Sequence, residues 1–153
     1  MKKWIICSLL TALVCLFATH SNAQDLIPKE DPDTGKWGFV NKQGKVVIAY
    51  RYDYCVEFSD AFKNGYAVVR IDAGRGVIDR TGKEIIPCLY EKIAPLGENG
   101  FSVVSDNKMG YFDKSGKQTI PFEYSALAIG EEGFFGLSQG KWVKIEPEET
   151  KEE

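Results

Sequence analysis

From Gly38 the chain reads GFVNKQGKVVI, and it writes the same pattern twice more, as GVIDRTGKEII from Gly76 and GYFDKSGKQTI from Gly110. A tyrosine follows each copy at the same offset, at Tyr52, Tyr90 and Tyr124. The copies start 38 and then 34 residues apart. A period of that length is the mark of one supersecondary unit stacked on copies of itself. No other feature of the sequence restricts the fold as much.

Each copy holds three strand-like pieces. The first is Gly38-Phe39-Val40, matched by Gly76-Val77-Ile78 and Gly110-Tyr111-Phe112. The second runs through Val46-Val47-Ile48, Glu84-Ile85-Ile86 or Gln118-Thr119-Ile120, and Pro87 and Pro121 are expected to close it, because proline cannot donate to a ladder. The third begins with glycine and an aromatic ring, aligned as Gly65-Tyr66, Gly100-Phe101 and Gly133-Phe134. Between the first two pieces stand Asn41-Lys42-Gln43-Gly44, Asp79-Arg80-Thr81-Gly82 and Asp113-Lys114-Ser115-Gly116. Asn or Asp opens a type I turn by accepting local backbone N–H bonds, and the glycine takes the left-handed conformation of a G1 bulge. These polar side chains are therefore assigned to turns. After the N-terminus nothing sustains a 3.6-residue period with caps, so the chain is all-β.

With hairpin, tyrosine and third strand in phase, the chain resembles the WG-repeat family, also called KWG repeats. The resemblance rests on Lys36-Trp37-Gly38-Phe39-Val40-Asn41, Gly44, Ile48, Tyr52-Asp53, Phe58 and Gly65-Tyr66-Ala67-Val68 in the first copy. Gly76, Asp79, Gly82, Ile86-Pro87 and Tyr90-Glu91 carry it in the second, and Gly110, Asp113, Gly116, Ile120-Pro121 and Tyr124 in the third. It covers Lys36 to about Val143. The tryptophan that names the family is Arg75 in the second copy and Met109 in the third, and a fourth start, Gly140-Lys141-Trp142-Val143, has Val where Gly belongs. The resemblance implies a β-repeat array with a scaffold or binding role and brings no general catalytic residues.

The expected fold is thus a set of tandem antiparallel hairpin or meander repeats in an open, solenoid-like stack, with Trp142-Val143 in a closing strand. A closed pseudo-threefold barrel is the alternative. The segments expected are a signal peptide at 1–23, a linker at 24–35, the repeats with their closing strand at 36–145, and an acidic disordered tail at 146–153. Lys2 and Lys3, an apolar run from Trp4 to Ala18 and Ser21-Asn22-Ala23 form the signal, with cleavage between Ala23 and Gln24. An uncleaved N-terminal anchor is the alternative. A monomer is expected, and cleavage predicts a periplasmic or secreted protein with no membrane span. It leaves 17 basic against 22 acidic side chains, a balance unsuited to nucleic acid.

Cleavage would also remove His20, the one histidine, and two of the four cysteines. Without histidine the usual general base and the commonest transition-metal ligand are missing, and no catalytic residue, metal site or cofactor is assigned. Asp31-Pro32-Asp33-Thr34-Gly35 opens like a calcium loop but reads as a turn, and Gly74-Arg75-Gly76 reads as a tight inter-strand turn. Cys55 and Cys88 fall five residues out of phase relative to the tyrosines, which argues against a disulfide between them. The tyrosines, recurring at one phase, are read as cement between units, with Gly38, Gly76 and Gly110 receiving a ring from the next unit. A position that holds Trp37, Arg75, Met109 and Trp142 is at least partly wet, and it is the candidate partner-binding surface. The function expected is an exported, non-catalytic interaction module for a protein or envelope partner. Glycan binding is the alternative. A carboxylate-dependent glycosidase, using Glu57, Asp60, Asp72, Glu91, Glu98 or Asp106, is the remote one.

Overall fold

A computed structural model describes residues 26–55 and 65–147. The signal peptide with Ala23 and Gln24, the tail from residue 148, and Phe58, Glu57 and Asp60 lie outside the described residues.

All regular structure among the described residues is β. A first sheet holds β1 (Ile27–Glu30), β2 (Trp37–Val40) and β3 (Val46–Tyr52). A second holds β4 (Tyr54–Cys55), β5 (Tyr66–Ile71), β6 (Gly74–Asp79) and β7 (Glu84–Tyr90). A third repeats it with β8 (Lys92–Pro95), β9 (Gly100–Ser105), β10 (Lys108–Asp113) and β11 (Gln118–Tyr124). The last holds β12 (Ala126–Gly130), β13 (Gly133–Ser138) and β14 (Lys141–Ile145). Each sheet is an antiparallel meander in chain order.

The recurrent turns form the hairpins β2–β3, β6–β7 and β10–β11. In each, the glycine amide donates to the carbonyl of the leading Asn or Asp, at 2.9, 3.0 and 3.1 Å, and the glycine φ is +78, +84 and +88°. The leading side chain locks the turn from inside. Asp79 Oδ1 accepts from the Thr81 amide and hydroxyl and from the Lys83 amide, and Asp113 does the same with Ser115 and Lys117. Burial opposes ionisation of Asp79, yet the bonds from Thr81 and Lys83 outweigh it and hold its pKa below the usual carboxylate range.

Sheets stack in sequence order. β2 and β3 touch β4 and β5, β6 and β7 touch β8 and β9, and β10 and β11 touch β12 and β13. No comparable contact joins the first sheet to the last, so the array is open and not a closed barrel. Each interface has its own core. Phe39, Ile48 and Tyr52 meet Ala67, Val69 and Ile78 in the first. Val68, Val77 and Ile86 meet Phe101, Val103 and Phe112 in the second, and Tyr111 and Ile120 meet Ile145 in the third. Alternation along a strand sorts neighbours to opposite faces: Val77 enters the second core and Ile78 the first. That explains why Ala67-Val68-Val69 is a continuous apolar run, since a sheet covered on both sides has no wet face.

Several expectations need correction. Each middle sheet has a fourth strand, the short β4 or β8, so a sheet combines the end of one sequence copy with the hairpin of the next. Residues 27–30 of the expected linker form β1, paired from Ile27↔Val40 to Glu30↔Trp37. β7 and β11 run through Pro87 and Pro121 to their tyrosines, because both are edge strands with a register shift, where a missing N–H costs little. Gly74-Arg75-Gly76 lies in β6. The turn before it is Asp72-Ala73, with Asp72 at φ +52°. The Gly-aromatic alignment slips by one residue in the first copy. The amides of Asp53, Glu91 and Ser125 donate to the carbonyls of Arg70, Val104 and Leu137, which makes Tyr66 equivalent to Gly100 and Gly133. Finally, the atoms packed over Gly38 and Gly110 come from Tyr50 and Phe122 of the same hairpin, not from the next unit, and over Gly76 from Cys88.

Candidate interaction surface

The Trp position has one occupant per sheet, each in a row of cross-strand neighbours. The rows are Glu30–Trp37–Tyr52, Tyr54–Arg70–Arg75–Tyr90, Lys92–Val104–Met109–Tyr124 and Ala126–Leu137–Trp142. The four residues therefore form a series along the array and not one cluster. Trp37 is half-buried and packs on the first core. Arg75 is half-buried, and its Nη1 donates at 2.7 Å to the carbonyl of Glu91, the residue that links β7 to the next sheet. Met109 is half-buried, and Trp142 is 53% exposed.

The tyrosines belong to the cores. Tyr52 is 1% exposed in the first core, and the half-buried Tyr90 and Tyr124 pack on the second and third. Tyr90 lies against Phe112 and Phe122, with centroids 5.6 and 5.7 Å away. The residue after each tyrosine is a clasp whose role the sequence reading missed. Asp53 Oδ2 accepts from the Asp72 amide at 2.6 Å, and Glu91 Oε1 accepts from the Asp106 amide at 2.9 Å. Ser125 makes the third clasp differently, donating its hydroxyl to the Leu137 carbonyl. Each clasp ties the end of one sheet to a strand or turn of the next. Lys36 adds an ion pair to Asp53, and its hydrogen bond, ahead of the Asp72 amide, lowers the Asp53 pKa. The recurrence of Tyr-Asp and Tyr-Glu was the signal for this role.

Both ends of the array depart from the interior in a consistent way. Pairing with Gly38 puts Lys29 where Val69 and Val103 enter cores, and pairing with Phe135 puts Lys144 where Val77 and Tyr111 do. Both lysines are exposed. Val143 takes the place of Gly38, Gly76 and Gly110. A Cβ at those glycines would lie 2.6, 2.6 and 2.8 Å from the carbonyl oxygens of Ile48, Ile86 and Ile120. Valine thus denies β14 the strand that β3, β7 and β11 provide elsewhere, and a charge on the outer face opposes a further sheet.

Among the described carboxylates, Asp72 and Asp106 stand at equivalent two-residue turns of different sheets, Glu91 is engaged in its clasp, and Glu98 is exposed. Among the described residues no three His, Cys, Asp or Glu side chains are grouped to hold a metal ion. Asp31 accepts from the Thr34 hydroxyl at 2.5 Å and from the Gly35 amide at 2.8 Å, through side chain and backbone respectively, so its segment is the β1–β2 turn.

Cys55 and Cys88 are free. They sit on β4 and β7, the opposite edges of one four-stranded sheet, three strand spacings or roughly 14 Å apart. That exceeds the ~7 Å a disulfide spans, although the separation runs across a sheet and not along the extended chain as the five-residue offset implied. Burial pushes the Cys55 thiol up to about 12, and burial followed by Glu84 raises Cys88, which is only half-buried. Labelling the native protein with a maleimide at neutral pH, followed by peptide mapping, is expected to modify Cys88 and to spare Cys55 until denaturant is added. Equal native labelling would show that the first core is open.

No helix among the described residues is long and apolar enough to cross a membrane. Comparison with curated proteins and with solved structures finds no match. The model of the WG containing repeat matches residues 37–73, 76–108 and 109–142, three consecutive segments that take up most of the chain. With a hairpin locked by Asn or Asp, a core tyrosine and a clasp recurring through those segments, the chain belongs to the WG-repeat family.

Proposed function

We propose that the chain is an exported, non-catalytic interaction module that binds a protein partner in the cell envelope or outside it. The observation that carries this reading is Trp142. It is a large apolar ring, 53% exposed, in a row with Leu137 on the outer face of the last sheet, where Lys144 opposes a further sheet. A tryptophan kept at a capped, wet end serves contact better than it serves the fold. Residues 1–23 support export to the periplasm or beyond, with an uncleaved anchor as the alternative. The engagement of the turn and clasp carboxylates supports a role without catalysis.

Trp142→Ala is expected to leave Tm within a few degrees and to weaken capture of the partner by about tenfold or more. Trp37→Ala with Arg75→Ala tests the same series but also removes packing from the first core, so its Tm must be read beside its binding. Pull-down from envelope extract with the two variants checks the reading. Undiminished capture by both would remove the Trp series from the contact surface. Glycan binding is the second reading, favoured by the flat exposed Trp142 ring. An array of envelope polysaccharides that retains the native protein and releases Trp142→Ala would select it.

A further inference from the structure

The second sheet differs from its neighbours at positions that converge on one place. Beside β7 lies a cavity of about 490 Å3 whose apolar walls come from Ile71, Pro87, Cys88 and Leu89. Strand pairing and the shared turns give the equivalents of each wall. Cys88 stands where the first and third hairpins put the rings of Tyr50 and Phe122, and Leu89 where they put Arg51 and Glu123. Ile71 replaces Ser105 and Ser138, and Gly74 replaces Lys108 and Lys141. Each of these differences trades a polar or bulky side chain for a small or apolar one.

The effect of losing the ring is visible by comparison between cores. Phe122 fills the edge of the second core, with its centroid 5.7 Å from Tyr90 and 6.0 Å from Phe112. At the edge of the first core a thiol takes that place, with Ile78 where the second has Phe112. Leu89 next to it is 77% exposed, the largest value among the exposed large apolar side chains of the described residues. The volume lies within the range of small binding clefts. Its charged lining residues, Asp72 and Glu84, are both exposed carboxylates, and no cation among the described residues lines it, although Lys36 acts on Asp72 and Arg51 on Cys88 from outside. β7 is moreover the last strand of its sheet, so an extended chain can lie along the cavity.

We propose that this cavity is a docking groove for an extended segment of a partner protein. The segment places one large apolar side chain, aromatic by preference, in the space left by the missing ring, and flanks it with lysine or arginine facing Asp72 and Glu84. The proposal rests on the interaction-module reading but uses a different surface from the Trp series.

A random linear-peptide display library, selected against the immobilised full chain, tests it. The expected winners carry Phe, Trp or Leu next to Lys or Arg. Cys88→Phe, which restores the ring of the third copy, and Leu89→Glu, which copies Glu123 at an exposed site, should each weaken those peptides by about tenfold or more. Leu89→Glu keeps the test valid if the added ring disturbs folding, and native Tm is the control. Selected peptides that bind both variants as they bind the native chain overturn the groove, as do winners flanked by Asp or Glu. If such peptides are lost instead with Trp142→Ala, the groove fails and the interaction-module reading stands. A library that enriches nothing removes the groove and leaves the interaction-module reading to the pull-down.

Discussion

Replacing Gly110 with Val is expected to cost at least about 3 kcal/mol and to strip β11 from the third sheet. A Cβ there would stand 2.8 Å from the Ile120 carbonyl oxygen and 2.9 and 3.0 Å from two carbons of the Phe122 ring. The ring could turn aside, but the oxygen belongs to the ladder and cannot move without opening the register shift between β10 and β11. Opening it would withdraw Ile120, fully buried, from the third core. The chain itself contains the comparison, since Val143 occupies this position on β14, which among the described residues has β13 on one side and no strand on the other. Urea unfolding measures the loss as a lowered midpoint, and limited proteolysis should place new cleavage near Pro121. A midpoint equal to that of the native protein would show that β11 tolerates the side chain, and the account of Val143 as a terminator would fall with it.

That glycine shows where the sequence was legible and where it was not. The turns could be read because their chemistry is local: Asp79 and Gly82 specify the same bonds whatever surrounds them. The core role of the tyrosines could be read from their phase, because only a shared environment keeps one ring at one offset. The reason for Gly38, Gly76 and Gly110 could not, since it lies in the approach of a carbonyl across a bulge that leaves no trace in composition. The slipped alignment of Tyr66 with Phe101 has a similar cause. Matching aromatic rings looks persuasive, but the fold preserves the backbone bond from Asp53 to Arg70 and lets the ring change faces, so that Tyr66 meets Phe101 edge-on in the second core. The candidate surface was legible as a set of varying positions. That its members lie one to a sheet, with Arg75 bonded to Glu91, required the strand order. The cavity beside β7 was hidden for another reason. In the sequence Cys88 reads as half of a disulfide, and only the strand register shows it as the absence of a ring.

The second large effect is expected from Tyr52→Ala. The ring is 1% exposed between the first two sheets, 6.5 Å from Phe39. Its hydroxyl accepts from Arg51 Nε and Nη2 at 2.9 and 2.6 Å, and Arg51 goes on to the Gly82 carbonyl of the next hairpin. Removing a buried aromatic ring costs about 3–5 kcal/mol, a large part of the 5–15 kcal/mol that holds a domain together. In a stacked array the loss is not shared evenly, because each sheet leans mainly on its neighbours. Only the first interface is damaged, so the first sheet should unfold before the other three. The tryptophans are placed to report this, Trp37 in the first sheet and Trp142 in the last. Single-tryptophan versions of the variant, melted side by side, should give an early transition from Trp37 and a later one from Trp142. Tyr52→Phe keeps the ring and removes only an acceptor that an exposed guanidinium can replace with water, so it should lose about 1 kcal/mol and stay cooperative. Coincident melting of both probes in Tyr52→Ala, at an unchanged temperature, would mean that the tyrosine does not bind the sheets together. The ring would then be free for the ligand-stacking role that its burial otherwise excludes.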